Sequence, residues 1–194
     1  MKASTDEKRP GGKPPLPPKP VTTKEKAAAI AHLTEEEKRN ARCCFTGHRP
    51  EKLRRPVDDI KVDLENEILR AIKEGCTTFI TGMAYGTDIW AGNIVVRLKD
   101  RFPDLKLIAA VPFPQFANGW TAEWKERYAA LLGKADYVKV IAQEYNPAAY
   151  QRRNEWMVDH SKRVIAVYSG SPGGTRNTIR YAQKNRIPVK YLNG

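Results

Sequence analysis

The sequence predicts an α/β protein with a doubly wound, mostly parallel sheet and helices on both faces. Two observations carry this expectation. From Arg42 to the C terminus, short apolar runs alternate with helical patterns, the order that successive βαβ units produce. Two glycine-rich turns, residues 81–92 (TGMAYGTDIWAG) and 169–178 (SGSPGGTRNT), each join an apolar run to a helix start. Such junctions suit phosphates: glycine permits positive φ and close approach of a ligand to the backbone, and the helix start presents free N–H groups.

Composition changes near residue 40. Residues 1–40 carry Pro10, Pro14, Pro15, Pro17, Pro18 and Pro20 among Lys and Gly, too little apolar surface to offset the entropy of ordering. They are expected to form a disordered or polyproline II tail. PPLPPKP has the form of a Pro-rich ligand for an unknown protein, weighed against the plainer reading of a solvated linker. A short helix is expected over 27–40, with Thr34 and Glu37 at capping-box spacing. Residues 41–194 are expected to be the ligand-binding domain. Strands are predicted at 43–46, 78–81, 106–111, 137–141, 164–167 and 189–191, where β-branched and apolar residues cluster. Between them, Ile60, Leu64, Ile68 and Ile72 repeat at i+4, and Ala91, Ile94, Val95 and Leu98 make a second apolar stripe. Trp124, Tyr128 and Leu131 mark a third helix, residues 150–161 a fourth and residues 175–184 a fifth.

The chain of 194 residues, 41% of them hydrophobic, can bury one sizeable core. No apolar run approaches the roughly 20 residues of a membrane span, and residues 1–20 lack the apolar stretch of a secretory signal. A cytoplasmic location is therefore expected. Cys43, Cys44 and Cys76 are too few for a disulfide framework and wrongly spaced for zinc, so they are expected to be buried and inert, and no metal site is predicted. The net charge is +12, of which residues 1–40 carry +3 and the remainder +9. Such a basic domain could bind nucleic acid through Arg152, Arg153, Lys162, Arg163, Arg176, Arg180, Lys184 and Arg186. The competing reading is a solvated basic surface.

In a doubly wound sheet the ligand lies outside the carboxyl ends of the strands. Those ends supply Gly47, His48 and Arg49; then Gly82, Met83, Ala84, Tyr85, Gly86, Thr87 and Asp88, with Trp90 following; then Pro112 and Phe113; then Gly170, Ser171, Gly173, Gly174, Thr175, Arg176 and Asn177. Glycine turns offer backbone N–H groups to anionic oxygens, Arg49 offers a bidentate fork, and Phe113 or Tyr85 can stack on a base or sugar. Neither turn is a G-x-G-x-x-G or Walker A sequence. Asp88 and His48 are the weak catalytic candidates; a helix-cap role weighs equally for Asp88, and His48 has no visible acid partner. Trp90 is a candidate ligand contact, weighed against the commoner reading of a core tryptophan in an apolar helix. In the fourth helix, Arg153, Asn154, Met157 and Ser161 share one face.

Five segments, FTGHRPEKL, TGMAYGTDIWA, AVPFPQFANGW, RNEWMVDHS and VIAVYSGSPGGTRNTIRYA, together resemble the YpsA/YoqJ-like branch of the SLOG superfamily, named for DprA and LOG proteins. The resemblance spans essentially all of the chain after Arg42. It implies a Rossmann-like fold and a pocket for a nucleotide-derived ligand such as a nucleotide, NAD or ADP-ribose, with the Arg153–Asn154 pair near it. It further implies a sensing or regulatory role in stress or phage conflict. The alternatives are an N-glycosidic hydrolase of nucleotides or nucleosides and a DprA-like single-stranded nucleic-acid binder; assembly into a homo-oligomer is a further expected partnership. LOG phosphoribohydrolases carry PGGxGT followed by a catalytic Glu. Here Pro172, Gly173, Gly174 and Thr175 match its opening, Arg176 and Asn177 replace the Gly-Thr, and Ile179 and Arg180 stand where the Glu belongs. Asp88, and more distantly Glu123, are the acids that could substitute.

Overall fold

Six strands alternate with helices in the computed structural model, which describes residues 33–194. Residues 1–32, which hold the PPLPPKP segment, most of the predicted tail and the first part of the predicted helix at 27–40, lie outside the described residues. Helix α1 is Glu35–Asn40, with Thr34 as N-cap in an extended conformation (φ −63°, ψ 160°). The capping box forms: the Glu37 N–H donates to Thr34 Oγ1 at 3.2 Å, and the Thr34 N–H donates to Glu37 Oε2 at 2.7 Å. An extended Thr34 cannot lie inside a helix, so the expectation of one continuous helix over 27–40 is corrected: the helix among the described residues starts at Glu35. Arg39 Nε donates to the Ser161 carbonyl at 3.2 Å, and Thr34–Gly194 form one compact unit.

The rest is β1 (Arg42–Gly47), α2 (Val57–Lys73), β2 (Thr78–Thr81), α3 (Thr87–Leu98), β3 (Lys106–Val111), α4 (Ala122–Leu132), β4 (Tyr137–Val140), α5 (Pro147–Asp159), β5 (Arg163–Tyr168), α6 (Gly174–Lys184) and β6 (Val189–Asn193), with a 3-10 turn at Pro50–Lys52. All pairings are parallel, and the strand order is β4-β3-β2-β1-β5-β6. The fold is Rossmann-like, as expected.

Successive strand residues face opposite sides, and burial follows that rule. Cys43, Phe45, Phe79, Leu107 and Ile165 pack on one side with Ile60, Leu64 and Ile68 of α2 and Ile89 and Val95 of α3. Cys44, Ile80, Ala110, Val164 and Ala166 pack on the other with Met157 and Val158 of α5 and Ile179 and Ala182 of α6. Covered on both faces, the central strands read as continuous apolar runs. Helices α2, α3 and α4 therefore cover one face, and α5 and α6 the other. The chain reverses its direction of travel across the sheet between β1 and β5, which opens a crevice at their carboxyl ends.

Cys43, Cys44 and Cys76 are free and fully buried. Burial pushes the Cys44 thiol up to about 12 and the Cys43 thiol upward as well. Cys76 departs from the expectation of an ordinary inert thiol: a hydrogen bond with Cys43, aided by Lys162 and Arg163, pulls its pKa down. Among the described residues no helix is long and apolar enough to cross a membrane.

Candidate functional site

The switch between β1 and β5 opens into a cleft of about 300 Å³. Its walls are Phe45, Thr46, Gly47, His48 and Arg49 from β1 and the turn after it, Lys52 from the 3-10 turn, Ala84 and Asp88 after β2, and Phe116 after β3. Tyr150, Arg153, Asn154 and Met157 of α5, with Gly173, Gly174 and Thr175 at the start of α6, complete it.

Backbone chemistry brings these parts together. Gly47 lies so close to the Thr87 side chain that a Cβ there would overlap it, and Thr87 Oγ1 donates to the His48 carbonyl at 3.0 Å. Gly86 holds φ 91°, and a Cβ on it would fall 2.8 Å from Pro50 Cδ. Both glycines therefore clamp the β1 tip against the start of α3. Thr81 Oγ1 donates to the Asp88 carbonyl at 2.8 Å and accepts the Met83 N–H at 3.3 Å, which holds Met83 at φ 62°.

The floor is a buried ion pair. Arg153 Nη1 lies 3.9 Å from Asp88 Oδ2, with 7% and 8% of the two side chains exposed. Arg153 also donates from Nη1 to the Gly82 carbonyl and from Nε to Asn154 Oδ1 at 2.9 Å. Asp88 Oδ2 accepts the Ala84 N–H at 3.3 Å. Burial outweighs Arg153 and this hydrogen bond and lifts the Asp88 carboxyl to about 6. Among the described residues, Asp88 Oδ1 and His48 Nε2 are two of three buried side-chain polar atoms without a hydrogen-bond partner. Both residues line the cleft. Burial, then Lys52, depresses the His48 pKa, so its imidazole is neutral at pH 7.

The far wall is cationic and donor-rich. Helix α6 begins at Gly174 behind Gly173 (φ 137°), with no side-chain cap, so its first N–H groups carry the positive end of the helix dipole. Lys52 Nζ donates to the Pro172 carbonyl at 3.4 Å. Arg49 donates to Tyr85 Oη at 3.1 Å, and its guanidinium carbon lies 4.5 Å from the Tyr85 ring centroid.

Ten of the residues singled out from the sequence line this cleft: Gly47, His48, Arg49, Ala84, Asp88, Arg153, Asn154, Gly173, Gly174 and Thr175. The others lie elsewhere. Gly82, Met83, Gly86 and Thr87 shape the turn from behind. Tyr85 and Phe113 border an adjoining groove of about 530 Å³. Trp90 is 7% exposed, belongs to the core and borders a separate groove with Lys61 and Arg97, so its place among the ligand-binding residues is corrected to core packing. Pro112 serves the sheet edge, its carbonyl accepting the Ala142 N–H at 3.0 Å. Gly170 (φ 88°) accepts from Tyr168 Oη at 3.1 Å, and Ser171 Oγ pairs with Ser169 Oγ at 3.1 Å. Both build the loop outside the cleft lining. Asn177 borders an outer groove with Arg180, and Arg176 is exposed on α6 outside the cleft. Glu123 pairs with Arg127 at 2.5 Å on α4.

Lys52, Phe116 and Tyr150 were not singled out as ligand contacts. Lys52 and Phe116 stand in the FTGHRPEKL and AVPFPQFANGW segments that carry the family resemblance, and Tyr150 opens the predicted fourth helix, but none of these patterns marks a ligand contact. Among the described residues no cluster of three His, Cys, Asp or Glu side chains could hold a metal ion. The first turn of α6 has no acid, and Ile179 is 5% exposed in the core, so α6 presents no carboxylate in place of the LOG Glu.

Residues 43–193 match the model of the YspA SLOG family, YpsA. The chain belongs to that family. This SLOG protein is 40% identical over 141 residues to the SPbeta prophage-derived protein YoqJ of Bacillus subtilis (strain 168), covering 64% of this chain and 82% of YoqJ. It is 30% identical over 114 residues to a UPF0398 protein of Ligilactobacillus salivarius (strain UCC118), covering 58% and 62%. Among solved structures it is similar to DNA processing protein A of Helicobacter pylori, a single-stranded DNA binder, with TM-score 0.54 and 17% identity. The similarity covers 80% of this chain and 66% of that one. DprA of Streptococcus pneumoniae gives TM-score 0.52 and 14% identity, covering 79% and 50%. Identities this low show the shared fold.

Proposed function

We propose that the cleft binds a small nucleotide-derived ligand and that this SLOG protein senses it rather than cleaving it by LOG chemistry. The observation that carries the reading is the pairing of two unpartnered buried polar atoms, Asp88 Oδ1 and His48 Nε2, with an uncapped glycine-led helix start across one cleft. A phosphate suits the α6 N–H groups with Lys52 and Arg49. It does not suit the Asp88 end, where a carboxylate repels it. Sugar hydroxyls suit that end, since an O–H can donate to Asp88 and exchange a hydrogen bond with neutral His48. The absence of an acid in the first turn of α6 supports sensing over N-glycosidic cleavage, and family membership supports the ligand class.

Calorimetric titration with ADP-ribose, NAD and mononucleotides tests this. Arg49→Ala is expected to weaken the ligand by about 1.5 to 3 kcal/mol, roughly tenfold to more than a hundredfold, with the thermal melt unchanged. Wild-type affinity that survives Arg49→Ala and Lys52→Ala together would remove the cleft as the site. No binding across the panel would remove the ligand class.

A further inference from the structure

The 300 Å³ cleft does not end at its own walls. Arg49, Phe116 and Tyr150 line both it and the adjoining 530 Å³ groove, so the two lie side by side with these three side chains as their shared wall. Their chemistries differ. The cleft holds the cations, the glycines and the unpartnered polar atoms, whereas the groove is walled by aromatic rings. Tyr85 meets Trp120 edge-on at 5.2 Å and Trp124 at 5.5 Å. Phe113 meets Tyr145 edge-on at 5.3 Å and Tyr150 at 5.5 Å.

Most of these rings also pack against the core. Tyr145 does not: it stands in the β4–α5 loop with 66% of its surface exposed. Apart from its edge-on contact with Phe113, this ring stands open to solvent beside the aromatic wall. Polar groups border the groove as well, Arg49 and the hydroxyls of Tyr85, Tyr145 and Tyr150 among them. Gln115 and Thr121 border it, and Thr121 Oγ1 already accepts the Trp124 N–H at 3.5 Å. The Arg49 guanidinium on the Tyr85 face puts a charged plane at the partition, where it can meet an anion on one side and a π system on the other.

We infer that the ligand is bipartite: its anionic, hydroxylated part occupies the cleft, and a heteroaromatic base occupies the groove, held by stacking rather than by edge recognition. This inference rests on the cleft reading above and adds the part of the ligand that the cleft cannot hold. Stacking is tolerant of base identity because every base has a π face. AMP and GMP are therefore expected to bind within a few-fold of each other, and both far better than the same molecule without a base.

The probes are AMP, GMP, ADP-ribose and ribose 5-phosphate, titrated calorimetrically into the full chain, with tryptophan fluorescence recorded because Trp120 and Trp124 border the groove. AMP is expected to bind about tenfold or more tighter than ribose 5-phosphate and to quench fluorescence. Tyr145→Ala should erase most of that advantage and leave ribose 5-phosphate unchanged, and Tyr145→Phe should restore it. Because Tyr145 is exposed, its loss leaves the fold in place, which a thermal melt verifies. Equal binding of AMP and ribose 5-phosphate overturns the inference and leaves the cleft reading standing. An AMP advantage that persists in Tyr145→Ala puts the base elsewhere and also overturns it. A preference between AMP and GMP of a hundredfold overturns stacking as the mode of recognition. Binding of ADP-ribose alone defeats the inference but keeps the cleft, and binding of none of the four defeats both.

Discussion

Asp88 ties the chemistry of the cleft to the stability of the fold. Its carboxyl titrates at about 6 in the folded protein against an ordinary 3.8. Between those values the folded chain holds a proton that the unfolded chain has released. The contribution of this group to stability is therefore complete below about pH 3.8 and is lost as pH rises through 6, a span on the order of 3 kcal/mol. Asp88→Asn removes that dependence. Wild type should gain stability relative to Asp88→Asn as pH falls from 7 to 4, measured by denaturant unfolding; parallel curves would show that Asp88 is not held in this way. At the same scale, part of the site was readable in advance. His48, Arg49 and Asp88 follow strand ends in sequence, and strand ends face the crevice whatever the details of packing. Lys52, Phe116 and Tyr150 reach it from a 3-10 turn, a loop and a helix flank, and only tertiary packing decides which way those point. Trp90 follows a glycine turn closely in sequence, yet lies on the face of α3 that turns into the core, the commoner place for a tryptophan in an apolar helix.

Among the elements, the strand positions were legible because β1, β2, β3 and β5 are buried on both faces and so show short stretches of apolar and β-branched residues. Helix α2 was legible from its i+4 repeat, and Ile60, Leu64 and Ile68 are indeed buried. The order β4-β3-β2-β1-β5-β6 was not legible, since alternation of elements fixes a class of sheet and not which edge each strand joins. Helix α1 shows how a local signal fixes a boundary: the capping box at Thr34 and Glu37 sets its start at Glu35. That box is exposed, and α1 has no buried residue, so the cap matters locally. Thr34→Ala should destabilise α1 by about 1 kcal/mol. Hydrogen exchange should show faster exchange in residues 35–40 with β1 and β5 unchanged; slowing or global acceleration would contradict the assignment. The turn before α3 is less forgiving. Gly86→Ala combines φ 91° with a 2.8 Å contact to Pro50, and should cost about 1–3 kcal/mol in global stability, which a melt detects.

For the whole molecule, the charge of +12 invites a nucleic-acid role, and the fold is shared with DprA proteins. The basic side chains are scattered: Arg163 is committed to Glu67 and Glu74, Arg153 is buried with Asp88, and Arg180 and Lys184 border an outer groove of α6. A single-stranded oligonucleotide should therefore compete poorly with a mononucleotide at about 0.15 M salt, and what binding it shows should fall steeply as salt rises. Tight, salt-resistant oligonucleotide binding in a mobility shift would favour the polymer reading. The strand order has one more consequence, for the making of the protein. Strand β1 is near the start of the folded unit but sits inside the sheet, and its β5 partner begins at Arg163, more than a hundred residues later. At ribosomal rates that separation is on the order of ten seconds. For that interval one backbone edge of β1 waits without the strand that will pair with it, which makes the nascent chain, rather than the finished protein, the form most exposed to edge-to-edge association.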